Sequence, residues 1–420
     1  MSKYAIFGPA KLSGKVNISG AKNAALKLIP AAILASSPSK ISNVPNIIDI
    51  EKMVHIIEGL GAKISFENNQ VSIDPASINT TDLKEEYVKK LRGSVVLVGP
   101  MLAKYGEVKL AQPGGCLIGV RAIDDHLDLF SQLSVQIDNK GDHYVFRGKP
   151  KAGDVVLNKL SVTATENAIM ATVLSPGTTH IHVAAAEPEI ADLANFLNAM
   201  GAKISGAGTH DIIIEGVNKL TGASYKVMPD RIEAGTYLLA AVATNSSVEI
   251  SPIIPEHMSI VLRKLERCGA KFKIEKSDEY FKIITHKHDG IQSLSIDTRT
   301  YPGFPTDLQS VYAVFSTQSH GLTKIFETLY EGRYGYVEEV KKMGAEINVE
   351  TAHVISIEGP QKLQGTKINA LDIRGGAALV LAALIADGQT EIDNIELIER
   401  GYENMDKKLK LLGVDIKLIR

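Results

Sequence analysis

The chain changes hydrophobic rhythm at regular intervals. Over residues 51 to 60, Met53, Val54, Ile56, Ile57 and Leu60 recur at helical spacing and make one apolar stripe, which predicts an amphipathic helix. From Lys63 the period shortens to two: Lys63, Ser65 and Glu67 alternate with Ile64 and Phe66, as a half-buried strand should. Gly61 stands between the two, where left-handed backbone ends a helix at least steric cost. Glu67-Asn68-Asn69-Gln70 then turns the chain into Val71-Ser72-Ile73, the second arm of a hairpin.

The same junction recurs six times, as Leu60-Gly61-Ala62, Leu133-Ser134-Val135, Met200-Gly201-Ala202, Cys268-Gly269-Ala270, Met343-Gly344-Ala345 and Leu412-Gly413-Val414, roughly 70 residues apart. Repeats of that size are too large for a thin solenoid, and six of them fit two domains of three. The helix stripes need a common partner, so helices should supply a shared interior and strands the outer sheets of an α/β fold. Counting three repeats from the start puts the boundary near Met228-Pro229-Asp230, and a cleft between domains is the expected place for a ligand. Cys268, the last apolar residue of its helix, belongs to the core.

Composition narrows the class. At 420 residues the chain exceeds one ordinary core, and 45% hydrophobic with 22% charged residues is the make-up of a soluble globular protein. A net charge of −2 gives no support to polyanion binding by the whole surface, so any anion site must be local. No Trp and 5% aromatics argue against base-stacking platforms and nucleic acid. Two cysteines, Cys116 and Cys268, cannot build a disulfide framework and suit a reducing compartment. The opening MSKYAIFGPAKL lacks the apolar centre of a signal peptide, and Lys27 and Pro30 interrupt the most apolar run, so a cytoplasmic protein away from membranes is expected.

Several familiar motifs fail. Gly8 to Lys15 has one residue too many for a phosphate-binding loop, and Val16 follows it in place of Ser or Thr. Gly206-Ala207-Gly208 lacks the third glycine of a dinucleotide fingerprint. His180 with His182, and His286 with His288, have no third ligand at matching spacing, so no metal is expected. What holds is a set of cations and acids in glycine-rich contexts. Cys116 sits in Pro113-Gly114-Gly115-Cys116, followed by Gly119, Arg121, Asp124, Asp125 and His126. A thiol on a glycine-hinged loop near a fixed cation reads as movable chemistry, with a thiolate favoured by Arg121. Lys22-Asn23 lies at the start of an apolar helix, a suitable anion site, or else a solvated lysine beside an Asn cap. Asp307 follows Pro305 just before a helix, where it is either functional or a helix N-terminal carboxylate. Arg400-Gly401-Tyr402 precedes the last helix.

Taken in order, SGAKNAAL at 19 to 26, PGGC with Gly119 and Arg121, Ser161-Val162 with Ala164-Thr165, Glu187-Pro188-Glu189-Ile190, Pro229-Asp230-Arg231, FPTDLQ at 304 to 309 and Arg400-Gly401-Tyr402-Glu403 span the chain. This collinear set resembles the UDP-N-acetylglucosamine-dependent enolpyruvyl transferases of the EPSP synthase family. The resemblance implies two similar domains, 22–229 and 1–21 plus 230–420. Each would hold three βαβαββ-type units with helices inside and sheets outside, an inside-out α/β barrel, and the active site would lie between the domains.

The family moves the enolpyruvyl group of phosphoenolpyruvate onto the sugar 3-hydroxyl and releases phosphate by addition and elimination. By resemblance, Lys22, Asn23, Arg121 and Arg400 bind phosphoenolpyruvate, as its two anionic groups require. Asp307 matches the proposed base, and Cys116 a loop cysteine assigned acid, adduct or release roles. Arg92, Arg121, Ala122, Ile123, Asp124, Asp125, Lys159, Leu160, Ser161, Val162 and Leu329 match nucleotide-sugar positions, with Asp307 touching the sugar. Backbone donors and Ser161 suffice for the diphosphate, so neither metal nor organic cofactor is implied. The epoxide fosfomycin, which resembles phosphoenolpyruvate, is an expected covalent inhibitor at Cys116.

The chain departs from the family at Thr163, where Gly is usual, at Ala122 in place of Pro, at Gly332, and at Arg374-Gly375-Gly376. A β-branched Thr163 would be crowded if that position required positive φ. Three other readings stay open: the sister enzyme acting on shikimate 3-phosphate, a paralogue using another uridine nucleotide, and a non-catalytic nucleotide-sugar binding protein.

Overall fold

A computed structural model describes residues 2–89, 91–111 and 123–420. The predicted repeat is realised in its details. The helix expected over 51 to 60 runs Ile48–Gly59, starting earlier because Asp49 and Glu51 favour its first turn and Ile50 is buried. Strands Lys63–Glu67 and Gln70–Asp74 form the hairpin, with Ser65 opposite Ser72. Gly61, Gly201, Gly269, Gly344 and Gly413 all hold positive φ, between +87° and +104°. In the copy without glycine, Ser134 adopts the same conformation at φ +61°, an uncommon one for a residue with a Cβ. The turn is therefore dictated by the repeat and not by the residue that occupies it.

The described residues divide into two compact units, one of 2–19 and 229–420, the other of 20–89, 91–111 and 123–228. Among the described residues each unit contains three four-stranded sheets with one recurring topology. In the sheet ordered Ser224–Lys226, Ser39–Ser42, Gln70–Asp74, Lys63–Glu67, the first pair is parallel and the other two antiparallel. The sheet of Lys367–Asn369, Gly388–Asp393, Lys3–Gly8 and Asp415–Ile419 keeps this pattern with a borrowed part. Its return arm is the N-terminal strand, with Ala5 opposite both Glu391 and Lys417.

Helices fill the interior. In the 229–420 unit, Arg231–Ala243, Gln309–Ser316 and Ile373–Ile385 pack against one another and are buried along almost their whole length. In the 20–228 unit the corresponding helices are Lys22–Ala31, Val98–Tyr105 and Val162–Thr172. Amphipathic helices such as Pro188–Ala199 and Ser259–Arg267 bury one face only. Cys268 is fully buried with Sγ 3.7 Å from the Tyr312 hydroxyl, and burial pushes its thiol pKa up, as befits a core residue.

Candidate active site

In the 229–420 unit, Pro305 in extended backbone starts the 3₁₀ turn Thr306–Leu308, which leads directly into Gln309–Ser316 and places Asp307 at the head of a buried helix. Arg333 Nη2 donates to Asp307 Oδ1 at 2.5 Å, and Arg374 Nη2 lies 3.5 Å from Oδ2. Both arginines are buried, while the Asp307 side chain keeps 28% of its surface open. Burial alone would raise the Asp307 pKa. Arg374, Arg333, the hydrogen bond from Arg333 and Arg231 outweigh it and hold the carboxyl well below the usual carboxylate range. Arg374 is likewise held charged against burial, chiefly by Asp307.

Arg374 sits in the first turn of Ile373–Ile385, whose N-cap Asp372 accepts the N–H groups of Arg374 and Gly375. A side chain at Gly401 would place its Cβ 2.4 Å from Ile373 Cγ2, so glycine lets the loop after Arg400 close onto this helix start. Next along, buried Tyr402 lies under the Arg374 guanidinium, 5.5 Å from ring centre to Cζ. Arg400 itself ends the short helix Glu396–Glu399. Leu329, 38% exposed, belongs to the loop after strand Gly321–Phe326, and its N–H donates to Glu327 Oε1 at 2.9 Å.

In the 20–228 unit, Lys22 opens Lys22–Ala31, with Asn23 half-buried beside it; the N-cap is Ala21, so Asn23 does not cap the helix. Lys22 Nζ pairs with Asp49 Oδ2 at 2.7 Å, both side chains being buried. Ile123 is the N-cap of Asp124–Gln132, whose first turn carries Asp124 and Asp125. Asp125 meets Lys159 Nζ at 2.8 Å, bringing those two candidates together. Leu160 leads to Ser161, the N-cap of Val162–Thr172, whose hydroxyl makes no capping bond.

Thr163 lies inside that helix in ordinary right-handed backbone, so the expected crowding does not arise. Its Oγ1 is instead 3.1 Å from His126 Nε2, and Asn167 Nδ2 is 3.1 Å from His126 Nδ1. Gly99 N–H donating to Asn167 Oδ1 orients the amide, which makes His126 Nδ1 the acceptor and leaves Nε2–H for Thr163.

Cys116, Gly119, Arg121 and Ala122 lie outside the described residues, as does the Arg92 side chain; Arg92 opens the 3₁₀ turn Arg92–Leu97 that leads into Val98–Tyr105. Asp49, Glu327 and the contact of Asp307 with Arg333 and Arg374 are not among the residues that the motifs mark. A usable signal was present: Lys22, Arg92, Ser161, Arg231, Asp307 and Arg374 all stand at the start of the segment that forms a buried helix, once per repeat. Helix starts carry outward N–H groups and partial positive charge, the right environment for anionic ligands. By contrast, a cavity of about 270 Å³ lined by Leu34, Lys104, Pro150 and Ser175 adjoins the opposite helix ends and holds no candidate residue. Among the described residues no helix is long and apolar enough to cross a membrane.

Residues 6–409 match the family described as EPSP synthase (3-phosphoshikimate 1-carboxyvinyltransferase). The UDP-N-acetylglucosamine 1-carboxyvinyltransferase of Halothermothrix orenii is 43% identical over 423 residues and covers 100% of each chain. UDP-N-acetylglucosamine 1-carboxyvinyltransferase 1 of Legionella pneumophila is 44% identical, over 99% of this chain and 82% of its own. Of solved structures, the enolpyruvyl transferase NikO from Streptomyces tendae matches with TM-score 0.88 at 22% identity, over 100% of this chain and 99% of its own. EPSP synthase from Acinetobacter baumannii matches with TM-score 0.77 at 17% identity over 100% of both, and at such identities the likeness is one of fold alone. With its fold, its helix-start cations and this full-length match in agreement, the chain belongs to the EPSP synthase family.

Proposed function

We propose that the chain transfers the enolpyruvyl group of phosphoenolpyruvate to the 3-hydroxyl of UDP-N-acetylglucosamine and releases phosphate, the first committed step of peptidoglycan synthesis, in the cytoplasm. The observation that carries this reading is Asp307, an ionised carboxylate held between two buried arginines, in a chain 43% identical along its length to carboxyvinyltransferases with that acceptor. In the addition step the sugar oxygen bonds to C2 of phosphoenolpyruvate, its proton passes to Asp307, and C3 gains a proton to become a methyl group. In the elimination step the methyl group loses a proton, the double bond re-forms and phosphate departs. No external oxidant, metal or cofactor is required.

A carboxylate clamped by arginines is a weak base. Phosphoenolpyruvate brings a carboxylate and a phosphate, and both compete with Asp307 for guanidinium donors. As Arg333 and Arg374 turn part of their charge to the substrate, the proton affinity of Asp307 rises, so the base strengthens when the electrophile is bound. In this reading Lys22, Asn23, Arg121 and Arg400 bind phosphoenolpyruvate. Arg92, Arg121 to Asp125, Lys159 to Val162 and Leu329 bind the nucleotide sugar. Cys116 serves as a movable acid and release group.

The test is phosphate release with phosphoenolpyruvate and UDP-N-acetylglucosamine, repeated with shikimate 3-phosphate. Release with the nucleotide sugar alone is expected; release only with shikimate 3-phosphate, or with neither, sinks the reading. Fosfomycin with nucleotide sugar should add its mass to the Cys116 peptide, and an unmodified peptide by mass spectrometry would remove Cys116 from that role.

A further inference from the structure

Glu327 has no assigned part in the reaction, yet it is fully buried and its carboxylate is saturated with donors. Oε1 accepts the Thr298 hydroxyl at 3.0 Å and the N–H groups of Leu329 and Tyr330 at 2.9 and 3.2 Å. Oε2 accepts the Thr306 hydroxyl at 2.7 Å. The Glu327 backbone is itself fixed, because its N–H donates to the His353 carbonyl at 2.8 Å and its carbonyl lies 2.7 Å from His353 Nδ1. This residue is an anchor placed directly after a strand.

The single proton of the Thr306 hydroxyl gives the anchor a direction. A threonine hydroxyl has one proton, and that of Thr306 is committed to Glu327. Its oxygen is therefore free to accept only, and Arg333 Nη1 donates to it at 2.9 Å. With Nη1 so held, the same planar guanidinium presents Nη2 to Asp307 Oδ1 at 2.5 Å. The other oxygen of the Glu327 carboxylate shapes the backbone of Leu329 and Tyr330.

We propose that Glu327 is a positioning residue for enolpyruvyl transfer, setting Arg333 on Asp307 through the Thr306 hydroxyl while holding the Leu329 loop in register with them. The proposal rests on the functional reading above. It deepens that reading by naming what keeps the base and its arginine in fixed relation before substrate arrives, the kind of preorganisation on which rate depends.

The decisive variant is Thr306→Val, which keeps the branched shape and deletes the relay hydroxyl, beside Glu327→Gln and the conservative Thr306→Ser. Expected are a fall in kcat of about 10- to 100-fold in Thr306→Val and Glu327→Gln, with little change in KM for the nucleotide sugar in Thr306→Val, which leaves the Glu327 contacts to Leu329 and Tyr330 in place. The acid limb of the kcat–pH profile should move to higher pH, and Thr306→Ser should recover most of the lost kcat. Lower Tm with wild-type kcat per active site and an unmoved pH profile would overturn the proposal. Should Glu327→Gln fail to fold, Thr306→Val decides alone. Absence of wild-type turnover would count against the functional reading only. The positioning claim is then read by carboxyl NMR titration of Asp307 in the full chain, where a midpoint moved to higher pH in Thr306→Val upholds it and coincident curves overturn it.

Discussion

Asp307 carries opposing demands. Its contacts with Arg333 and Arg374 keep it ionised, and its folded pKa lies below the unfolded value of 3.8. Its contribution to stability is therefore present above that value and lost only as the pH falls through the lower folded one. Asp307→Asn should leave nucleotide-sugar affinity within a few-fold of wild type, because the amide keeps the size and one acceptor oxygen, while kcat falls by about 10²- to 10⁴-fold for want of a base. Titration calorimetry with the nucleotide sugar and steady-state phosphate release check the two halves. A near-normal kcat would remove Asp307 from the base role. The sequence singled out Asp307 through its proline-led helix start. Its partners were out of reach because Arg374 lies 67 positions away and nothing local marks the contact.

The helices that carry Lys22 and Ser161 are joined inside the 20–228 unit by a pair of buried ionisable side chains, Lys27 Nζ and Glu166 Oε1 at 3.4 Å. In the sequence Lys27 shows only as an interruption of an apolar run, since helical periodicity shows which face is buried but not which polar residue meets it there. Burial pushes the Glu166 pKa up to about 8 against the pull of Lys27, with Glu189 and Glu187 adding to the rise. The folded state thus binds the Glu166 proton more tightly than the unfolded one. The resulting stabilisation is whole below the ordinary value of 4.5 and is lost as the pH rises toward and through about 8. Glu166→Gln, which mimics the protonated form, should match wild type near pH 5 and exceed it at pH 9 by on the order of 2 to 4 kcal/mol. Thermal melts across that range check it, and parallel wild-type and variant curves would refute it.

Across the whole molecule, the repeat was readable because each copy contains a local transition, helix to left-handed residue to strand, that leaves its mark within a few positions. The parallel edge strands were not, since Asp154–Val156, Ser224–Lys226 and Lys367–Asn369 are each three residues long and too short to show a period. The pairing by which Lys3–Gly8 closes the last sheet has no local mark either, although the resemblance assigns 1–21 to that domain, because its partners lie far along the chain. That closure has a measurable consequence. Ala5 lies in an inner strand with ladder partners on both sides, flanked by Tyr4 and Ile6, which are almost wholly buried. Ala5→Pro removes a backbone donor and places a ring where a neighbouring strand runs, at a cost of about 3 kcal/mol or more. The damage should stay within the unit that owns the sheet. In hydrogen exchange of the full chain, Gly388–Asp393 and Asp415–Ile419 are expected to lose protection, while Ser39–Ser42 and Gln70–Asp74 in the other unit keep theirs. Uniform loss across both units would mean that the chain unfolds as one cooperative body and that the N-terminal strand secures more than its own sheet.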